Sequence, residues 1–97
     1  MSDFLNTDLT PEDFVTINQF LGRKIKKARL ENELSITDLS RVSGMAGSYI
    51  SLVENGKKPK LSMFTLLRLC FFLNVNPSEF FNGIEELPPF SNDQPGN

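Results

Sequence analysis

The sequence predicts an all-α protein, and three observations lead there. Helix-start signals recur at Thr10, Ser35, Ser62 and Asn76, each directly before a run with helical apolar spacing. Residues that stop helices stand between those runs, namely Gly44, Gly56, Pro59 and Gly83. No stretch shows the strict polar/apolar alternation of a half-buried strand. With 97 residues, 31 of them Leu, Ile, Val or Phe, the chain suffices for one hydrophobic core and is too short for two.

The first helix opens at Thr10-Pro11-Glu12-Asp13, where Thr10 caps, Pro11 suits the first helical position and Asp13 completes a capping box. Phe14, Ile17, Leu21, Ile25 and Ala28 then form one stripe, which predicts a helix over about residues 11–32 with Gly22 as a mild weak point. Ser35-Ile36-Thr37-Asp38 repeats the capping box and opens a short helix through Ser43. Gly44 follows in the left-handed position that ends it. A second short helix is expected from about Ala46 to Asn55, then a basic loop, Lys57-Lys58-Pro59-Lys60. Ser62 caps a helix from Met63 to about Leu73 that is apolar nearly all round, and Asn76-Pro77-Ser78-Glu79 starts a last one ending near Gly83. The tail after Leu87, rich in Pro, Gly, Asn and Ser, is expected to be mobile at its end.

Composition removes several function classes. There is no histidine and one cysteine, Cys70, so an internal disulfide and Ser-His-Asp or Cys-His catalysis are excluded, and no metal site or cofactor is expected. The carboxylate pairs Glu12/Asp13, Glu31/Glu33 and Glu85/Glu86 fall at helix ends or in the tail, which makes an enzyme the weakest reading. No apolar run is long enough to span a bilayer, and MSDFLNTDL has no secretion-signal pattern. The expectation is a soluble cytoplasmic protein without a membrane partner.

The net charge of −2 conceals a strong asymmetry. Gly22 to Arg68 holds all ten basic residues against four acids, Glu31, Glu33, Asp38 and Glu54, while the flanks hold the other eight acids and no base. A basic centre between acidic ends is the footprint of a polyanion contact. Its bland alternative is that Arg23, Lys24, Lys26, Lys27 and Arg29 form a solvated helix face.

The informative segment is Ile36–Asn55. A helix-turn-helix needs a small residue where its two helices cross, a residue tolerant of positive φ in the turn, and apolar anchors into the body. Ser40, Gly44, and Leu39 with Met45, Ile50 and Val53 meet those needs. With them in place, the face bearing Gly47, Ser48, Ser51 and Leu52 points outward, where a major groove can receive it.

From Leu21 to Phe81 the chain resembles the Cro/C1-type, XRE or lambda repressor-like, helix-turn-helix domain. The marks are Leu21-Gly22 before a basic helix, Leu34-Ser35, Ser48-Tyr49-Ile50-Ser51, Glu54-Asn55-Gly56, Leu66-Leu67-Arg68-Leu69, and Asn76-Pro77-Ser78-Glu79-Phe80-Phe81. The resemblance implies a compact five-helix domain over residues 21–83. Residues 1–20 are then an extension holding the start of the first helix, and 84–97 a short flexible tail. It further implies a transcriptional regulator, more often a repressor, that binds double-stranded operator DNA as a symmetric homodimer. Carried over by position, Gly47, Ser48, Tyr49, Ser51 and Leu52 lie at the groove, and Thr37, Asn55 and Lys57 are phosphate contacts, with Lys58 and Lys60 extending the basic loop. This chain departs from the family in carrying Ile36 and Gly47 where glutamine is frequent, Leu52 at a commonly polar position, and one extra residue in the Lys57–Leu61 loop. Short side chains on the reading face shift weight to phosphate contacts, a thymine-methyl contact from Leu52, and DNA shape.

Phe71, Phe72, Phe80, Phe81, Ile84, Leu87 and Phe90 are more apolar surface than so small a domain is expected to bury, and are assigned to a dimer interface. The competing reading has Phe4, Leu5 and Leu9 fold back over them. A second functional class stays open: an antitoxin or adaptor on the same fold, with a protein partner and secondary DNA binding.

Overall fold

The computed structural model describes residues 8–91. Five α-helices follow in order, α1 (Pro11–Glu31), α2 (Ile36–Ser43), α3 (Gly47–Glu54), α4 (Met63–Phe72) and α5 (Pro77–Phe80), then a 3-10 turn at Ile84–Glu86. No strand occurs among the described residues. Phe4, Leu5 and the end of the tail, for which contacts and mobility were expected, lie outside them.

Helix starts follow the local chemistry. The Thr10 hydroxyl accepts from the Asp13 N–H at 3.1 Å while the Asp13 carboxylate accepts from the Thr10 N–H at 2.8 Å. Ser35 and Asp38 form the same reciprocal pair at 2.9 and 3.0 Å. Ser62 and Asn76 cap α4 and α5. The ends are built alike for α1, α3 and α4: a left-handed residue, Glu33, Gly56 or Asn74, turns the chain back. The next N–H then reaches a carbonyl five residues earlier, as in Lys57 N to Leu52 O at 2.8 Å. Glu33 holds that conformation without being glycine, helped by Asn32, whose side chain ties Ala28 O to Leu73 O.

Leu21, Ile25 and Ala28 of α1 meet Leu39, Met45, Ile50 and Val53 of the central pair and Leu66, Leu69, Cys70 and Leu73 around α4. Ile25, Leu39, Ile50 and Leu69 are fully buried, each stabilising by about 1.5–3 kcal/mol relative to exposure. Phe14 leads the α1 stripe yet is 50% exposed, because the core meets α1 only from Ile17 onward.

Three expectations change. Gly22 is no weak point: a Cβ there would stand 2.4 Å from Val53 O and 2.5 Å from Glu54 O, so only glycine lets α1 cross the end of α3. Arg29 does not belong to a solvated face. It is buried against Glu54, with Nε–Oε2 at 2.6 Å and a second bond from the guanidinium to Oε1 at 3.0 Å. Phe80 is core rather than surplus, 3% exposed, because α5 folds it under α4; Phe72 and Phe81 also pack against the core.

Candidate nucleic-acid interface

The α2–α3 unit is set by its turn. Gly44 takes φ 76°, and nothing lies within 4 Å of where its Cβ would be, so its requirement is conformational. Ser40 donates to Met45 O at 2.6 Å, and Ser43 accepts from Met45 N at 3.1 Å. Arg68 donates to Ser43 O at 2.6 Å, pinning the turn to α4. Met45 then enters the core, and α3 starts at a fixed angle to α2.

On α3, Ile50 and Val53 point into the core, which leaves Ser48 and Leu52 on the opposite side, one turn apart and exposed. Glu54 faces inward and binds Arg29, whose other amine donates to Leu34 O at 2.8 Å. The Arg29 guanidinium is pushed above its usual value, chiefly by its hydrogen bonds to Glu54. This pair locks the angle between α1 and α3. Ala46, the residue before α3, supplies no side-chain cap to it.

The other candidate positions divide by geometry. Gly47 opens α3, and a Cβ there would stand 3.4 Å from the Ile36 side chain, an ordinary contact. Thr37, Asn55, Lys57 and Lys60 are exposed; Tyr49, Ser51 and Lys58 are half-buried. Tyr49 packs against the core, with the Lys58 ammonium 5.7 Å from its ring centre. Lys58 also donates to Pro59 O at 2.9 Å, so its charge is held against the domain. Asn55 bonds back to Ser51 O and Ser51 Oγ, closing the end of α3. Lys60 sits at φ 53°, reversing the loop before Ser62 caps α4. The described residues therefore present a shallow outward face, Ser48 and Leu52, bordered by a loop with two exposed lysines.

A match to the helix-turn-helix family covers residues 25–80, more than half of the chain. The chain belongs to the Cro/C1-type helix-turn-helix family. Membership makes it a DNA-binding regulator in general, and the family is one of binding domains rather than enzymes. No curated protein matches the chain. Among the described residues no helix is long and apolar enough to cross a membrane.

Two features of this helix-turn-helix escaped sequence reasoning. The Arg29–Glu54 pair left a signal: each charge stands four residues after a core isoleucine, Ile25 and Ile50, and so continues a buried stripe. The close approach at Gly22 left none beyond the glycine itself.

Proposed function

We propose that this protein is a sequence-specific double-stranded DNA-binding transcriptional regulator, a repressor acting as a homodimer on a palindromic operator. The observation that carries the reading is the uncovered face of α3, held by the buried Arg29–Glu54 pair and bordered by the Lys57–Lys60 loop. Ser48, Ser51 and Leu52 meet base edges, with Tyr49 and Gly47 shaping the approach. Thr37, Asn55, Lys57 and Lys60 take phosphates, while Lys58 extends the basic loop and steadies Tyr49. The domain runs over residues 21–83. The protein is cytoplasmic, needs no cofactor and performs no catalysis.

A second reading, an antitoxin or adaptor, is favoured by the exposed apolar residues of α4 and the short side chains on α3. Selection from a random duplex pool separates the two. A regulator enriches one motif with dyad symmetry; enrichment without a motif removes the sequence-specific reading.

A further inference from the structure

A groove of about 950 Å³ lies between the N-terminal half of α1 and the loop that follows α3. Leu9, Phe14, Val15 and Ile17 form most of one wall, Pro59 and Leu61 part of the other. Leu9 and Phe14 stand one residue before and four after the cap Thr10, the spacing of a hydrophobic staple. Leu9, expected to fold back over the phenylalanines of α4 and α5, lines this groove instead. On the loop side Gly56 has φ 70°, and a Cβ there would stand 2.9 Å from the N and Cα of Gln19. The loop therefore rests directly on α1, which fixes the opening between them. The α1 wall precedes residue 25, where the family match begins, so it is an addition of this chain.

The polar lining carries charge of one sign. It consists of the amides Asn18, Gln19 and Asn55 and the ammonium groups of Lys57 and Lys60, with no carboxylate. Among the described residues neither ammonium has an ion pair or a hydrogen bond, whereas Lys58 is tethered to Pro59 O. The acids closest in sequence on α1 are absent from the lining. Asp8 accepts from Leu9 N–H, Asp13 accepts from Thr10 N–H, and Glu12 lines a separate groove with Thr16 and Pro88. The exposed apolar face of α4 has no such free cation, because Arg68 is engaged with Ser43 O and the Phe72 ring.

We propose that this groove binds a free fatty carboxylate, its chain along Phe14, Val15 and Leu61 and its head group at Lys57 and Lys60. Apolar walls with a few polar groups at one place, in a volume within about 300–1,000 Å³, are the marks of a small-molecule site. Two unpaired cations and no acid select an anionic head group over a neutral or cationic one. Lys57 and Lys60 are also the phosphate contacts assigned above, so ligand and DNA draw on the same two charges. Bound carboxylate then weakens DNA binding, and DNA weakens carboxylate binding by the same factor. The ligand acts as an inducer, a consequence that rests on the regulator reading.

Calorimetric titration of the full chain with monomeric dodecanoate, without DNA, tests the site, and methyl NMR locates it. The expected result is one equivalent bound, with saturable shifts at Leu9, Val15 and Leu61 and none at Leu67. Affinity should rise by up to about fourfold per methylene from octanoate to dodecanoate. Lys57→Gln with Lys60→Gln should weaken dodecanoate by about fivefold and leave dodecanol unchanged. Val15→Glu, at an exposed helix position, should abolish dodecanoate binding with unchanged far-UV circular dichroism. No binding, shifts centred on Leu67, or dodecyltrimethylammonium binding as tightly as dodecanoate would overturn the proposal. So would binding seen only in a Phe4→Ser, Leu5→Ser variant, which would make the chain's own N-terminal segment the occupant. DNA anisotropy is read separately. Bound dodecanoate with unchanged DNA affinity overturns the inducer role, whereas a chain that binds dodecanoate but no DNA overturns the regulator reading and leaves the site standing.

Discussion

Glu54→Gln removes one charge from the α1–α3 pair while almost preserving the side-chain volume. The Arg29 and Glu54 side chains are only 8% and 4% exposed, so water does not replace the lost partner. Glutamine offers one acceptor where the carboxylate offered two, and turns an amide donor toward the other guanidinium N–H. Stranding a buried charge in this way costs about 3–5 kcal/mol. For a domain of this size each kcal/mol shifts the midpoint by about 4–8 °C, so Tm should fall by at least about 12 °C. Urea unfolding followed by far-UV circular dichroism, alongside thermal melts, measures both quantities. The double variant Arg29→Met with Glu54→Leu should recover most of the loss, because apolar side chains of similar size need no counter-charge. A Glu54→Gln cost below about 1 kcal/mol, or a double variant no better than the single one, would refute the reasoning.

The glycines should separate by mechanism. Gly22→Ala should cost about 3 kcal/mol in urea unfolding, since its Cβ meets backbone oxygens at 2.4 and 2.5 Å, whereas Gly47→Ala should stay within about 0.5 kcal/mol. Gly44→Ala should cost about 1 kcal/mol, from its positive φ alone. Asp38 is held below the usual carboxylate range, first by the Ser35 N–H, then by the Ser35 hydroxyl and Arg41. Its stabilisation of α2 is therefore present above the ordinary aspartate pKa of about 3.9 and lost as pH falls below it. An NMR titration showing Asp38 at the ordinary value would contradict that capping role. Lys57→Ala and Lys60→Ala should each lower the salt slope of DNA binding by about 1, with equal weakening on every sequence.

Helix starts were legible because each depends on residues within one turn, as at Thr10–Asp13 and Ser35–Asp38. Helix ends were less so: Gly44 and Gly56 announce a left-handed residue, whereas Glu33 and Asn74 take that conformation without being glycine, each followed by an N–H that bonds back to the helix, Leu34 to Arg29 O and Val75 to Cys70 O. Surface and core charges look alike in a sequence, and Arg29 reads as one more base until its phase with Ile25 is matched to that of Glu54 with Ile50. An all-round apolar helix such as α4 does not reveal its free side, since that depends on where α5 tucks Phe80. On α3, the outward placement of Ser48 and Leu52 followed from the phase of Ile50 and Val53, whereas Gly47 and Ser51, expected on the same face, are half-buried at its edges. The split between exposed Lys57 and Lys60 and the tethered Lys58 did not, because it arises from the turn at Pro59 and Lys60.

The most direct measurement is fluorescence anisotropy across a salt series on the duplex upstream of the protein's own gene, with a scrambled duplex beside it. The native chain and a Lys57→Ala, Lys60→Ala variant would be compared. The native chain should prefer the upstream duplex, and the variant should keep that preference with a slope lower by about 2. Equal affinity for both duplexes, with a slope the variant does not change, would contradict DNA recognition through α3 and its loop.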